Sequence, residues 1–159
     1  MTESLVVTNI PKSEKDIETV SQWMWGFWEK QDGYTLSDII DRTHRCLNTQ
    51  GIPQTCFAYN NKEIVGVASI WNNDCQCRQE LRPWLARVFV KKEERGQGIS
   101  HKLTDFAALQ CEKLNFSEMF LITSYEGLYE SLGWAFVENV SYKGEPKRLY
   151  NVSLGEGES

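Results

Sequence analysis

The sequence predicts an α+β fold built around a mixed central sheet. Three observations support this class: two amphipathic helix patterns come first, short strand patterns follow, and one long amphipathic helix pattern interrupts the strands. With 159 residues, 41% of them apolar and 25% charged, the chain has the length and composition of one globular domain. We expect that domain to cover residues 1–154, and we expect the acidic tail over residues 155–159 to be disordered.

Two helices are predicted before the first strand. Ser13-Glu14-Lys15-Asp16 resembles a capping box, and apolar residues then recur at helical spacing as far as Trp28. Thr35 and Asp38 open the second helix, and Gly51-Ile52-Pro53 ends it. The two helices therefore form an N-terminal hairpin.

Strands are predicted where short runs of apolar and aromatic residues lie between turn-forming residues. They cover residues 55–59, 63–71, 84–90, 118–123, 135–142 and 148–154. The long helix covers residues 99–114, and a short helix holds Tyr129. Lys143-Gly144-Glu145-Pro146 has the composition of a turn, so the last two strands form a C-terminal hairpin.

A glycine-rich turn joins the strand over residues 84–90 to the long helix. Its sequence is Arg95-Gly96-Gln97-Gly98-Ile99-Ser100. The first turn of a helix leaves N–H groups unpaired and carries the positive end of the helix dipole, so phosphate groups bind there. Lys91, Lys92 and Lys102 add positive charge to a chain whose net charge is −5. The pattern predicts an anion site, although a tight turn with solvated lysines would look the same.

Two nucleotide-binding motifs are excluded for this turn. No third glycine follows Gly98 at the dinucleotide-binding spacing, and no Gly-Lys-Ser/Thr sequence follows as a phosphate-binding loop requires.

Two blocks of the sequence resemble the GNAT superfamily of N-acetyltransferases. Residues 95–100, after the strand that ends at Val90, are similar to the acetyl-CoA signature Gln/Arg-x-x-Gly-x-Gly/Ala. Gly127-Leu128-Tyr129-Glu130-Ser131-Leu132-Gly133-Trp134 resembles the Tyr-x-x-x-Gly-Phe block of the same family. The resemblance covers roughly residues 63–154. Lys92, Ser100 and Trp134 depart from the family pattern, where Pro, Gly or Ala, and Phe are usual.

The resemblance implies a GNAT-like topology and an acetyl-CoA site. In the family, the strands on either side of the long helix splay apart, and the pantetheine arm of the cofactor lies in the gap. Carried over to this chain, the cofactor-binding residues are Val88, Phe89 and Val90 on the strand, and Arg95, Gly96, Gln97, Gly98, Ile99 and Ser100 around the pyrophosphate. Acetyl-CoA is then a co-substrate, and no metal is expected.

Acetyl transfer needs a neutral amine, a donor to the oxyanion and a proton for the departing thiolate. The resemblance implies that Tyr129 is the general acid and that a main-chain N–H, that of Val90, faces the oxyanion. The strand over residues 85–90 lacks the carboxylate that several members use as a base. Glu80, just before that strand, is therefore our candidate for the general base, and a solvated loop carboxylate is the alternative interpretation.

Charge and composition restrict the partners. The acidic balance favours a cationic small-molecule amine as the acceptor and disfavours nucleic acid. A polyamine, an aminoglycoside-like amine or an amino-acid derivative would fit, and a protein N-terminus or lysine stays open. No leader or membrane segment is recognised, so we expect a cytoplasmic protein. Dimers are frequent in the superfamily, which makes a homodimer a further expectation.

Two other functions stay open at this stage. A CoA-binding module without turnover would explain the missing strand carboxylate and Ser100. A metal or redox protein would use Cys75 and Cys77, but their spacing is not that of a metal pair, and the five cysteines fit reduced thiols better than a disulfide framework. Six tryptophans are many for this length; those near the first helix fit core packing or an aromatic pocket for a cationic amine.

Overall fold

A mixed sheet of seven strands organises the chain. The computed structural model describes residues 4–155, apart from the side chain of Cys77. The strands are β1 (Leu5–Thr8), β2 (Gln54–Asn60), β3 (Glu63–Trp71), β4 (Trp84–Val90), β5 (Glu118–Thr123), β6 (Ala135–Tyr142) and β7 (Glu145–Ser153). Their order across the sheet is β1-β2-β3-β4-β5-β7-β6, and β4 and β5 are the only parallel neighbours among the described strands. The predicted α+β class with a mixed sheet is confirmed.

Three α-helices cover the sheet: α1 (Glu14–Met24), α2 (Leu36–Arg45) and α3 (Ile99–Lys113). The predicted caps are present. Ser13 accepts a hydrogen bond from the N–H of Asp16 at the start of α1, and Thr35 and Asp38 form a reciprocal capping box at the start of α2. None of the described helices is long and apolar enough to span a bilayer.

The helices lie on opposite faces of the sheet because side chains alternate along β2. Cys56 and Ala58 belong to the cluster that buries α3, whereas Phe57 and Tyr59 belong to the cluster that buries α1 and α2. Gly66 on β3 brings α3 close, since a Cβ there would lie 3.1 Å from Leu103 Cδ1. The small side chains therefore seat α3 against the middle of the sheet.

The strands β4 and β5 separate soon after they meet. They share a single register pair, Trp84 with Phe120, supported by a hydrogen bond from the N–H of Phe120 to the carbonyl of Pro83 at 3.0 Å. From Leu85 to Val90 the edge of β4 that faces β5 has no strand partner in the described structure. The splay that the family resemblance implied is present, and it opens a gap in front of α3.

Several details differ from the prediction. β1 was missed, because four residues are too few to show a period. The helical pattern that extends to Trp28 leaves α-geometry at Trp25 and continues as a π-helical turn over Trp25–Glu29. The short helix near Tyr129 is a 3₁₀ turn over Glu130–Leu132, with Tyr129 as its N-cap.

The C-terminal hairpin is also tighter than predicted. β7 begins at Glu145, because Lys143 (φ 51°) and Gly144 (φ 81°) alone make the turn in the left-handed conformation that two-residue hairpins favour. Of the predicted disordered tail, Gly155 is a described bend, and residues 156–159 lie outside the described residues.

Cysteine chemistry agrees only partly with the sequence. Cys46, Cys56 and Cys111 are buried free thiols, as predicted. Cys75 is disulfide-bonded, so the prediction of a reduced thiol is wrong at this position. Among the side chains that the structure describes, no group of three or more from His, Cys, Asp or Glu is placed to hold a metal ion.

Candidate active site

A cleft of about 770 Å³ lies in the gap between β4 and β5. One wall is the unpaired edge of β4, from Leu85 to Val90, and the other is formed by the end of β5 and the segment that leads to Tyr129. The N-terminus of α3 closes one end. The cleft is therefore bounded by main-chain groups along its length and by a helix terminus at its end.

The glycine turn has the geometry of an anion site. Gly96 (φ 85°) and Gly98 (φ 79°) are left-handed, and neither would meet another atom within 4 Å if it carried a Cβ. Gly98 is the N-cap of α3, and no side chain caps the first turn. The N–H groups of that turn are thus left for a ligand.

Arg95 is tied to the strand next to the turn. Its Nε donates a hydrogen bond to the carbonyl of Val90 at 2.8 Å, and its guanidinium lies 5.4 Å from the ring centre of Phe89. This contact fixes the beginning of the turn to the end of β4. It also occupies the Val90 carbonyl, one of the groups expected to face the pantetheine arm.

Most of the predicted site residues meet in this cleft. Those that line it are Tyr129, Val88, Phe89, Val90, Arg95, Gly96, Gly98, Ile99 and Ser100. Gln97 is not among them, and its side chain reaches towards Glu94 instead. The positions carried over from the family motif therefore converge, apart from one side chain in the turn.

Tyr129 lies at the wall opposite β4. Its ring packs edge-on against Trp134, with centroids 5.8 Å apart, and its hydroxyl makes no hydrogen bond with any residue that the structure describes. Burial, with a smaller effect of Tyr125, raises the pKa of the phenol above its usual value. The hydroxyl is therefore protonated at neutral pH, and it belongs to a residue that lines the cleft.

Glu80, the predicted base, lies apart from the cleft. Its side chain is 63% exposed and accepts a hydrogen bond from Arg78 Nε at 2.9 Å. That hydrogen bond lowers the pKa of the carboxyl. Glu80 lines neither this cleft nor the one described next.

A second cleft of about 1,170 Å³ adjoins the first. Its walls come from α2, from the chain between α1 and α2, and from the hairpin turn between β6 and β7. Asp74, Arg87 and Tyr142 line both clefts. The two clefts therefore adjoin at these three side chains, and we call this boundary the passage.

A buried group of charges surrounds this passage. Arg87 donates two hydrogen bonds to Glu29, at 2.8 Å and 2.6 Å, and Arg42 donates a third at 3.2 Å. Asp74 lies 3.9 Å from Arg87. The side chains of Glu29, Arg87 and Asp74 are each less than 10% exposed. We call these four residues the charge cluster.

Irregular backbone places the charge cluster. Glu29 is the last residue of the π-helical turn. Because a π-helical turn is wider than an α-helical one, the side chain of Glu29 points in a different direction from the one a continuous α-helix would give it. Arg87 lies at a bulge where β4 carries one residue more than β3, and its φ is 54°. A bulge redirects side chains, and a left-handed Arg is a strained conformation. Two local distortions thus bring opposite charges together at the passage.

The tryptophans near the passage already hold cations. The Arg87 guanidinium lies 5.1 Å from the ring centre of Trp28 and 4.8 Å from that of Trp71, and Arg42 lies 4.8 Å from Trp71. Trp23, Trp25 and Trp28 near the first helix pack against the core cluster of α1 and α2, and the cations over Trp28 and Trp71 are side chains of the protein itself.

Sequence reasoning missed the charge cluster. Arg87 is the one charge in the apolar run of β4, and Glu29 follows four residues rich in aromatic rings, so both are signals of buried charge. Asp74 lies in a polar loop, where nothing in the sequence distinguishes it from a solvated carboxylate.

The splayed strands, the uncapped helix terminus and the adjoining second cleft define an enzyme of the CoA-dependent acyltransferase class. The sequence model of the acetyltransferase (GNAT) domain matches residues 30–145. The chain therefore belongs to the GNAT family and is an acetyl-CoA-dependent N-acetyltransferase. No curated protein sequence shows significant similarity to it.

Solved structures of similar fold include enzymes with different acceptors. An aminoglycoside 6'-N-acetyltransferase complexed with coenzyme A is 12% identical, with a TM-score of 0.74 over 97% of this chain and 99% of that chain. The aminoglycoside 6'-N-acetyltransferase from Enterococcus faecium is 10% identical, with a TM-score of 0.71 over 97% and 99%. The NatC complex bound to Gag peptide and CoA is 16% identical, with a TM-score of 0.71 over 96% and 100%. At these identities the likeness concerns the fold.

Proposed function

We propose that the chain transfers the acetyl group of acetyl-CoA to a primary amine of a small molecule, by direct attack of the amine within a ternary complex. The observation that carries this proposal is the passage at Asp74, Arg87 and Tyr142, where the two clefts meet. An amine in the second cleft would reach a thioester held beside β4 without either substrate leaving the protein. The two clefts thus suit a reaction that needs both substrates at once.

The first cleft fits acetyl-CoA. The N–H groups at the start of α3 suit the pyrophosphate, and the left-handed glycines leave open space for its approach. The unpaired edge of β4 offers main-chain partners to the amides of the pantetheine arm. We assign the arm to Val88, Phe89 and Val90, and the pyrophosphate to residues 95–100.

A negative charge at the start of α3 is expected to block the cofactor. In a Gly98→Asp variant the carboxylate would cap the helix and occupy the N–H groups meant for pyrophosphate, so acetyl-CoA affinity should fall at least about tenfold. Calorimetric titration with acetyl-CoA measures the change. Gly144→Asp is the matched control, because Gly144 (φ 81°) has nearly the backbone conformation of Gly98 (φ 79°) and equally open space, but lies in the hairpin turn. Equal affinity losses in both variants would contradict the assignment.

The second cleft suits a small cationic acceptor. Its volume of about 1,170 Å³ lies somewhat above the roughly 300–1,000 Å³ of small-molecule sites, so it has room for such an acceptor. Lys143 of the hairpin turn forms an ion pair with Asp32, which joins two walls of the cleft and leaves less room for an extended peptide. Asp38 and Asp41 line the cleft and have no ion-pair partner within residues 4–155. An amine with more than one positive charge would pair with them, and the aminoglycosides named for two of the similar structures belong to this chemical class.

Tyr129 is our proposed general acid for the departing thiolate. Tyr129 lines the cleft, and its protonated hydroxyl has no hydrogen-bond acceptor among the described residues. A Tyr129→Phe variant should lose at least about tenfold in acetyl transfer, since general acid catalysis contributes about 10²–10⁴-fold. Release of free thiol from acetyl-CoA measures transfer, and calorimetry should show unchanged acetyl-CoA affinity.

Tyr59→Phe provides the control for this deletion. It removes the same oxygen atom from a tyrosine that lies outside both clefts and bonds to Asp16. Tyr59→Phe should retain turnover. A Tyr129→Phe enzyme as active as the unaltered protein would remove Tyr129 from the mechanism.

The sequence also left open a CoA-binding module without turnover, which the match to the acetyltransferase family disfavours. The observation in its favour is that β4 holds no carboxylate and that Glu80 lines neither cleft. Thiol release with any amine from a panel of an aminoglycoside, a polyamine and an amino-acid amide would exclude this candidate. Binding of acetyl-CoA without release of thiol across the panel would favour it.

A further inference from the structure

We propose that Asp74 is the catalytic residue that takes the proton from the acceptor amine. This inference rests on the proposed acetyl transfer between the two clefts. It replaces the candidate base suggested by the sequence with a carboxylate from the loop between β3 and β4.

Position is the first argument for Asp74. It is one of three described residues that line both clefts, and the other two, Arg87 and Tyr142, are not bases at neutral pH. Its side chain is 8% exposed, so bulk water does not compete for its oxygens. An amine at the boundary of the two clefts would therefore lie beside this carboxylate.

Four charged side chains act on Asp74. Arg87 of β4, Arg42 of α2 and Lys143 of the hairpin turn favour the ionised carboxylate, whereas Glu29 of the π-helical turn disfavours it. Tyr142 of β6 lines the same passage. Burial outweighs the cations and raises the pKa of Asp74 to about 6.

This balance suits a base that works at neutral pH. Above pH 6 the carboxylate is ionised and ready to accept a proton, and its basicity exceeds that of an exposed carboxylate, whose usual pKa is about 3.9. Glu80 has the opposite environment, since its hydrogen bond with Arg78 lowers its pKa and leaves it a weaker base. Of the two carboxylates, only Asp74 combines access to both clefts with raised basicity.

The proton balance of the reaction is complete with the residues present. The protonated amine transfers one proton to the Asp74 carboxylate and becomes a neutral nucleophile. Its nitrogen lone pair forms the bond to the thioester carbonyl carbon, and the carbon–sulfur bond breaks with its electron pair on sulfur. Tyr129 gives its hydroxyl proton to the thiolate. The nitrogen loses a second proton as the amide forms, and that proton returns Tyr129 to its protonated state. Asp74 then releases its proton to water.

Asp74→Asn is the direct test, because asparagine keeps the size of the side chain and removes the base. With acetyl-CoA and an alkylamine substrate from the panel, kcat/KM at pH 7 should fall at least about a hundredfold. For the unaltered enzyme, kcat/KM should decline as the pH falls through about 6, since the carboxylate becomes protonated, and this decline should vanish in the variant. Asp105→Asn, the same change at an exposed site on α3, is the control and should retain both the rate and the profile. Glu80→Gln tests the competing assignment.

A weakly basic amine separates proton transfer from positioning. An acceptor amine that is already neutral at pH 7 needs no base, so Asp74→Asn should acetylate it nearly as fast as the unaltered enzyme. A large loss with both amines would assign Asp74 a positioning role and overturn the proposal. So would retained activity of Asp74→Asn with the alkylamine, particularly together with a large loss in Glu80→Gln. Failure of the unaltered enzyme to acetylate any amine would instead overturn the proposed acetyl transfer, and the role of Asp74 with it.

Discussion

Replacing Glu29 by alanine is expected to lower the free energy of unfolding by about 3–5 kcal/mol, the usual cost of removing one partner of a buried ion pair. The carboxylate of Glu29 accepts hydrogen bonds from both Arg87 and Arg42, and its side chain is 5% exposed. Without it, Asp74 at 3.9 Å would be the acidic partner left to Arg87 among the described residues. Denaturant unfolding followed by circular dichroism measures the change.

Two further variants make the Glu29 prediction specific. Glu63→Ala removes an exposed carboxylate whose partner is Lys91, and it should cost less than about 1 kcal/mol. In the Glu29→Ala variant the buried charge of Arg87 has lost its main partner. Adding Arg87→Met removes that charge and should restore part of the lost stability. A loss in Glu29→Ala no larger than that in Glu63→Ala would show that water reaches the charge cluster.

The raised pKa of Asp74 is expected to make folding stability depend on pH with a defined sign. Because the folded state holds the proton more tightly than the unfolded chain, the free energy of unfolding should decrease as the pH rises from about 4 to about 6. A rise from the usual pKa of about 3.9 to about 6 corresponds to about 3 kcal/mol. Above pH 6 the contribution should be constant.

Comparison with Asp74→Asn isolates this contribution, since other groups titrate in both proteins. The difference in stability between the unaltered protein and the variant should shift by up to about 3 kcal/mol against the unaltered protein between pH 4 and pH 7. Urea titrations at several pH values give that difference. A difference that is flat, or that shifts the other way, would mean that the cations around Asp74 outweigh its burial.

The sequence was most informative where local rules apply. The caps at Ser13 and Thr35, the strand over residues 84–90 and the glycine turn at the start of α3 follow from hydrogen-bonding chemistry and periodicity within a few residues. The family motif then predicted the splay of β4 and β5, and most of the site residues carried over from it line one cleft. These features depend on short segments of sequence, so they can be predicted without knowledge of the fold.

The charge cluster could not be predicted by the same rules. It joins residues far apart in the sequence, and each is directed by a local irregularity, such as the π-helical turn before Glu29 or the bulge at Arg87. Asp74 and Glu80 are both acidic loop residues in front of β4, and only tertiary burial distinguishes them. Their pKa values move in opposite directions because one carboxyl is desolvated and the other accepts a hydrogen bond at the surface.

β4 and β5 share a single register pair, so the sheet consists of two half-sheets joined at that point. One half-sheet contains β1, β2, β3 and β4, and the other contains β5, β7 and β6. On the proposed binding mode, the amide groups of the pantetheine arm would form hydrogen bonds with the edge of β4, in place of the strand pairing with β5 that is absent there. Cohesion between the half-sheets would then vary with the metabolic supply of acetyl-CoA. A ligand at about 100 times its Kd adds about 2.7 kcal/mol to the stability of the form that binds it. The two half-sheets would thus be held together more strongly in a cell with abundant acetyl-CoA than in a cell depleted of it.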